Sequence, residues 1–383
     1  MGGTVRRSVR EQGALRRGTD LPGAGRRRVR LAAAACMVGL VGVAAAGCGS
    51  KPTNTTSSSS SSAGAFTGCM VTDTGGIDDH SFNSAAWSGM QAAQTAGKAT
   101  VQYVQSTTEN DYVPNINSLV SKKCGIVVTV GGLMADATKA AAASHQSQHF
   151  AIVDSSSIPP NVEGLQFDTA QGAFLGGYLA AGMTKSGKVA TFGGQNIGPV
   201  TVYMDGFWEG IQYYNKKHST SVQLLGWNET TQQGSFANSF TDQNAGLQLT
   251  QGFVSQGADI VFPVAGGTGL GALSAAQQSN GALSAIWVDT DGCISAAQYC
   301  GVLISSVTKG IASAVTKAVE NASAGDFSDA SYIGTLANGG TGLAPYHDFA
   351  GKVPTALQSE IESVKADIVS GAIKITSKAQ PTT

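Results

Sequence analysis

The chain has 383 residues, is 42% hydrophobic and 13% charged, and carries a formal net charge of −1 at neutral pH. That balance hides a split: all nine arginines lie at or before position 30, and from Cys48 onward 15 Lys face 23 Asp and Glu, a charge of −8. Such a body is not built to grip nucleic acid or an anionic membrane surface. It also lacks Arg, the preferred bidentate partner of carboxylates and phosphates, which disfavours amino acids, organic acids and nucleotides as ligands.

Taken in chain order, residues 1–47 read as a signal peptide. A basic stretch runs from Arg6 to Arg30, then an apolar run of small residues ends in Ala45-Ala46-Gly47-Cys48. At about 17 residues rich in Ala and Gly, that run is marginal for a membrane span. The tetrapeptide resembles the bacterial lipobox, with Ala45 where Leu is usual, which makes Cys48 the expected mature N-terminus and lipidation site. Residues 48–65 are Ser/Thr-rich, with unbroken serine from 57 to 62, and read as a flexible lipidated tether.

The remaining body, residues 66–376, is too long for one typical domain and comfortable for two. Apolar runs predict strands at 69–73, 101–105, 126–130, 149–153, 164–167, 188–192, 221–226, 259–262, 284–288 and 302–306. Amphipathic stretches predict helices at 84–96, 112–122, 134–147, 171–185, 200–217, 242–256, 269–279, 308–323 and 355–370. This alternation means parallel sheets with helices on both faces, and the count suits two of them.

The first strand runs into DTGGIDDHSFN, residues 73–83. Gly75 and Gly76 allow a sharp turn, Asp73 and Asn83 offer directed hydrogen bonds, and Phe82 offers a flat apolar face. The set suits a small polar ring compound better than an ion or a peptide. Asp73, Asp154, Asp168 and Asp289 each end an apolar run, as do Gly131-Gly132 and Gly266-Gly267. These are carboxyl ends of strands, where open α/β sheets bind ligands. One aspartate there is more often a cap or a turn former; together they predict a cleft shared by two facing lobes, with an acidic rim unfriendly to anions.

Of the cysteines, Cys36 leaves with the signal and Cys48 takes lipid. Cys69, Cys124, Cys293 and Cys300 remain, and four cysteines allow three pairings. Neighbouring parallel strands would bring Cys69 and Cys124 together, and Cys293 with Cys300 could close a short loop. That pairing is expected, against four free thiols.

The loop at 73–83 with Trp87-Ser88-Gly89 resembles the signature of the basic membrane protein family, the PnrA-like nucleoside-binding lipoproteins of ABC importers. Further stretches match in order: GAFLGGYLAA (172–181), Gly193-Gly194 with GFWEG (206–210), SFTD (239–242), GADIVF (257–262) with AGGTG (265–269), VDTD (288–291) and SSVTK (305–309). They cover essentially all of residues 66–376, with His80 standing where Lys is usual. The resemblance implies a type I periplasmic-binding-protein fold of class α/β, two doubly wound parallel-sheet lobes joined by a three-strand hinge. By that analogy residues 66–169 and 306–332 form the first lobe, 170–305 and 333–376 the second, and 377–383 a tail. The chain would cross between lobes near 168–172, 305–309 and 330–336.

The resemblance also assigns roles. Phe82 and Phe240 look like the aromatics that sandwich a nucleobase. Asp73 and Asn83 look like its edge contacts, with either Asp154 or Asp168 as a third. Asp289 and Lys309, with backbone groups of Gly266 and Gly267, look like a ribose clamp in which Lys309 neutralises the carboxylate. The implied protein is no enzyme and needs neither metal nor cofactor. It is an extracytoplasmic, lipid-anchored monomer that captures a purine or pyrimidine nucleoside and delivers it to an ABC permease. Two alternatives stand beside it: the same class binding a simple sugar or other heterocycle, and an envelope lipoprotein acting as sensor or antigen.

Two motifs mimic other chemistry. Ile77-Asp78-Asp79 resembles the calcium-binding strand end of nucleoside hydrolases, but the upstream ligand positions hold Thr72 and Thr74, and Ca²⁺ wants six or more oxygens. GMTKSGKV (182–189) resembles a P-loop, yet Val189 replaces the required hydroxyl and the order is helix then strand.

Overall fold

Apolar runs flanked by amphipathic stretches can bury both faces only inside a parallel sheet covered by helices. The computed structural model, which describes residues 66–381, has that organisation. The expected signal peptide, the tether and Cys48 lie outside the described residues. Strands β1 (Thr67–Thr72), β2 (Thr100–Val104), β3 (Ile126–Val130), β4 (His149–Val153) and β5 (Val162–Phe167) belong to a first sheet. β6 (Lys188–Gly193) and β7 (Gln223–Leu225) open a second, and β8 (Trp227–Asn228) with β9 (Gln233–Gly234) forms a small separate ladder. β10 (Ile260–Val264), β11 (Ser284–Asp289) and β12 (Leu303–Lys309) continue the second sheet, β13 (Tyr332–Gly334) returns to the first, and β14 (Thr341–Leu343) closes the second.

The strand orders are β2-β1-β3-β4-β5-β13 and β7-β6-β10-β11-β12-β14. All pairings within these two sheets are parallel except β12 with β14. Each sheet therefore has a topological switch point beside its first strand, between β1 and β3 and between β6 and β10, where a crevice must open. The helices are α1 (Phe82–Thr95), α2 (Tyr112–Ser121), α3 (Ala135–Ser144), α4 (Thr169–Met183), α5 (Gly198–His218), α6 (Gln243–Ser255), α7 (Gly269–Gln278), the single turn α8 (Gly292–Ser295), α9 (Ile311–Ala324) and α10 (Thr355–Ser370). Each lobe has apolar clusters on its sheet, around Met70, Met90, Val128 and Val315 in the first and Tyr203, Phe207, Phe262 and Ile286 in the second.

The glycine-rich stretches have a packing reason. A Cβ on Gly177 of α4 would sit 2.0 Å from the Phe207 carbonyl oxygen of α5, and one on Gly206 would sit 2.2 Å from that of Ala170. Backbone meets backbone there, and any side chain would force the helices apart. Gly89 on α1 plays the same part against α9, with Ala312 O 2.4 Å from a built Cβ.

The chain passes between the sheets after β5, after β12 and between β13 and β14. β12 stays in the second sheet as far as Lys309, and β13 stays in the first as far as Gly334, so both boundaries lie past 305 and 332. Disulfides join Cys69 to Cys124 and Cys293 to Cys300, with Cα atoms 5.9 and 4.5 Å apart. The P-loop mimic is a helix-to-strand turn whose amides are already taken: the Asp259 carboxylate accepts from the N–H of Lys185 (2.7 Å) and Ser186 (2.8 Å) and from Thr184 Oγ1. Among the described residues no helix is long and apolar enough to cross a membrane.

Candidate functional site

The carboxyl ends of both sheets face one cleft, which in this closed arrangement holds a cavity of about 60 Å³. It is lined by Asp73, Phe82, Asn83 and Asp154 from the first lobe and by Phe240, Gly266, Asp289 and Lys309 from the segments of the second. Asp168 and Gly267 are not part of the lining. Asp168 instead accepts from Gln171 and Gln380, and Gly267 is buried beside the Phe240 carbonyl.

On the first lobe, the loop after β1 is built around two carboxylates. Asp73 Oδ1 accepts from Gly75 N and from Asn83 Nδ2, both at 2.8 Å. Its other oxygen lies so near Gly131 that a Cβ there would approach to 2.7 Å, which accounts for the glycine ending β3. Burial pushes the Asp73 carboxyl up to about 6, against the lowering effect of its hydrogen bonds. Asp79 accepts from the N–H groups of Ser81 (3.0 Å), Asn83 (2.7 Å) and Ser84 (3.0 Å), so it caps α1, while burial raises its pKa. Asn83 Oδ1 is buried without a partner. An acceptor left in that state points to a missing donor.

Equivalent strands of the two sheets present equivalent groups. Asp154 ends β4 and Asp289 ends β11, and both take a left-handed backbone with φ of 65°. Asp tolerates that region better than most residues, and such residues cluster at functional sites. The turn after β3 (Gly132–Met134) likewise corresponds to Gly266–Thr268 after β10. Phe240 lies on the loop between β9 and α6, pinned to that turn by Thr268 N donating to its carbonyl at 3.0 Å. Its ring lies against Gly194, where a Cβ would come within 2.4 Å.

The lobes are drawn together across this cleft. Lys309 Nζ donates to Asp154 Oδ2 at 2.6 Å, with both side chains nearly inaccessible. Here the sequence expectation needs correcting, because Lys309 neutralises Asp154 and not Asp289. Lys309 ends a strand rather than starting a helix, and its ammonium crosses to the other lobe. Asp289 is held by neutral hydroxyls instead, Tyr203 Oη on Oδ1 at 2.7 Å and Ser81 Oγ on Oδ2 at 2.6 Å. Burial and the Asp289 carboxylate push the Tyr203 phenol well up, so it stays a donor. Burial raises Asp154, and Lys309 opposes that rise. The Lys309 ammonium also sits 4.9 Å from the Phe82 ring centroid. His80 adds a latch: its carbonyl accepts from Trp287 Nε1 (3.2 Å) and Thr290 Oγ1 (3.0 Å), and its Nδ1–H donates to the Ser295 carbonyl at 2.5 Å.

Asp79, Ser81 and Tyr203 escaped the sequence reading as site residues. Asp79 had a signal in the IDD triplet, whereas Tyr203 looks like any aromatic on an apolar helix. Asp78 of that triplet is exposed and cannot share a buried cation with Asp79. One group of candidate metal ligands lies together among the described residues, Asp291, Cys293 and His347, but Cys293 is tied up in a disulfide.

A family model described as ABC transporter substrate-binding protein PnrA-like matches residues 66–379. The chain is 32% identical over 365 residues to a CD4+ T-cell-stimulating antigen of Listeria monocytogenes, covering 91% of this chain and 98% of that protein. It is 28% identical over 333 residues to the ABC transporter nucleoside-binding protein BmpA of Lactococcus lactis, covering 81% and 88%. Among solved structures, a solute-binding protein of an ABC transporter system from Aeropyrum pernix superposes with a TM-score of 0.71 at 22% identity, over 83% of this chain and 94% of that one. A transcriptional activator of the comK gene from Bacillus halodurans superposes at 0.64 with 17% identity, over 80% and 99%. At such identities the likeness speaks for the shared two-lobed fold alone.

Proposed function

The chain belongs to the PnrA-like family of ABC transporter substrate-binding proteins, and from that premise we propose that it captures nucleosides between its lobes and passes them to a membrane permease. A protein of this family is a binding protein and not an enzyme. The observation that carries the nucleoside reading is the placement of Phe82 and Phe240, one from each lobe, in the lining of a single cleft. Two flat rings closing on a planar base lose water against both its faces, and stacking of this kind tolerates any base. Asp73 and the unpaired Asn83 Oδ1 supply acceptors for base N–H groups. Asp154 and Asp289 supply acceptors for sugar hydroxyls, as charge-assisted bonds. The Lactococcus relative, named as nucleoside-binding, supports the same class of ligand.

Capture works by hinge closure. The open form would expose Asp154, Asp289 and both rings; the ligand would then bridge the lobes, and the closed form would present a joint face to the permease. Anchoring is by lipid on Cys48, holding the monomer at the extracytoplasmic face of the cell membrane through its tether. Two or more acyl chains suffice for stable anchoring, whereas one is marginal.

A thermal-shift and calorimetric comparison of adenosine, uridine, ribose, adenine and AMP on the protein from residue 64 onward tests this reading. Nucleosides at about 100 times Kd should add roughly 2.7 kcal/mol to stability. AMP should add less, because its phosphate meets buried carboxylates and no arginine. Tighter or equal binding of AMP, or preference for free ribose, overturns the reading.

A further inference from the structure

Beside the Asp154–Lys309 pair lies a second cavity of about 150 Å³, which shares Asp154, Pro199 and Lys309 with the cleft. It is lined by the first crossover, through Gln166 and Thr169, and by the segment that contains Gln380 and Pro381. That segment is fastened down. Gln380 Nε2 donates to both oxygens of Asp168 at 3.1 Å, and Ser377 Oγ donates to the buried Asp205 at 2.6 Å.

Two polar atoms of this chamber have no partner, Gln166 Nε2 and Thr169 Oγ1. Their residues are only 9% and 1% exposed. A buried group left unpaired costs about 1–3 kcal/mol, and native chains retain few of them. Helices α4 and α5 both begin at the chamber, with Thr169 and with Gly198, and bring the partial positive charge of helix starts. Pro199 has no N–H, however, and the N–H groups of Gln171, Val200 and Thr201 already donate to the carbonyls of Asp168 and Ile197. The unpaired Gln166 amide and Thr169 hydroxyl are therefore the donors the chamber offers. Its nearest carboxylates are engaged, Asp154 by Lys309 and Asp168 by Gln171 and Gln380. An uncharged group with acceptor oxygens fits such a place: the lining cation, Lys309, is already neutralised by Asp154, so a phosphate or carboxylate would be buried without a counter-ion. The volume holds several water-sized groups.

We propose that this chamber is a subsite for a neutral, oxygen-bearing substituent on the sugar of the ligand, held by Gln166 and Thr169. It rests on the nucleoside reading of the cleft, with the sugar at the Lys309 end. The protein would then accept sugar-extended nucleosides that a closed pentose pocket would reject.

Calorimetry with adenosine and its 5′-O- and 3′-O-(2-hydroxyethyl) ethers tests the assignment. At least one ether should bind wild type within about threefold of adenosine, a difference under 0.7 kcal/mol. Gln166→Met and Thr169→Val should each weaken that ether about fivefold, the loss of one neutral hydrogen bond, while adenosine changes less than about twofold. Thr169→Ser, which keeps the hydroxyl, should restore ether binding and so separates a lost hydrogen bond from a damaged fold. If adenosine binds but both ethers are excluded, or if the variants weaken ether and adenosine alike, the subsite is wrong. AMP binding as tightly as the ether overturns the neutral-group assignment. If adenosine itself fails to bind wild type, the nucleoside reading falls and takes the subsite with it.

Discussion

Replacing the two cleft phenylalanines decides whether the cleft is a base slot. Phe82 begins α1 and Phe240 lies on the loop before α6, and both are half-buried cleft residues. Stacking on a base is worth about 1–3 kcal/mol by alanine substitution, so each change should raise the Kd for adenosine by a factor of roughly 5 to 150. The cost to the unliganded protein should be unequal. Lys309 Nζ sits 4.9 Å from the Phe82 centroid, and such a cation–π contact contributes from about 0.5 kcal/mol when exposed to about 2 kcal/mol when desolvated. Phe82→Ala should therefore lower apo stability by about that amount plus its lost contacts. Phe240 lies against Gly194 and Gly266 with no cation over its ring among the described contacts, and Phe240→Ala should cost less. Both losses should stay below the roughly 3–5 kcal/mol typical of a fully buried Phe. In the double variant the affinity losses should sum to less than their total, because closure is already weakened once one wall is gone. Titration calorimetry with adenosine and urea denaturation of the apo forms measure both quantities. If Phe240→Ala costs about 3 kcal/mol or more of apo stability and leaves adenosine affinity unchanged, Phe240 is a core residue and the sandwich is wrong.

The remaining expectations concern charge, covalent links and the anchor. Burial raises Asp73 from 3.8 to about 6, so the folded state holds its proton more tightly than the unfolded chain does. Stability from this group is present below about pH 4 and is lost as pH rises to about 6. Asp73→Asn should flatten that slope and raise apo stability at pH 7.5 by up to about 3 kcal/mol while weakening adenosine, with no gain at pH 3.5; unchanged denaturation midpoints at pH 7.5 would contradict it. Chain entropy assigns about 4 kcal/mol to the Cys69–Cys124 link, spanning 55 residues, and about 2 kcal/mol to Cys293–Cys300, spanning 7. Paired alanine variants should rank in that order, and the reverse ranking would refute the loop-entropy account. Cys48→Ala should leave the protein unprocessed or released into the medium, and a processed, membrane-retained variant would sink the lipid anchor.

What the sequence determined by itself is local. The alternation of apolar runs with amphipathic stretches located ten strands and nine helices, because periodicity reports which faces of each element are buried. Strand-end positions of Asp73, Asp154 and Asp289 were legible for the same reason: the end of an apolar run marks the end of a strand. β13 and β14 were not legible, since three residues are too few to show a period, and they are strands only because a sheet edge awaits them. Phe240 and Phe82 could be named as a pair only through the family resemblance, as no spacing links two lobes.

Tertiary structure alone chose the partners. Asp154 and Asp168 each sit at the end of a first-lobe strand, yet one lines the cleft and the other binds Gln171 and Gln380. Lys309 meets Asp154, 155 residues away, and leaves Asp289 to the hydroxyls of Tyr203 and Ser81. Sequence period sets which way a side chain leaves its own element. Which carboxylate waits on the far side of a cleft depends on how two sheets are set against each other, and that is fixed by contacts across the cleft such as Ser81 on Asp289 and the His80 carbonyl on Trp287 and Thr290.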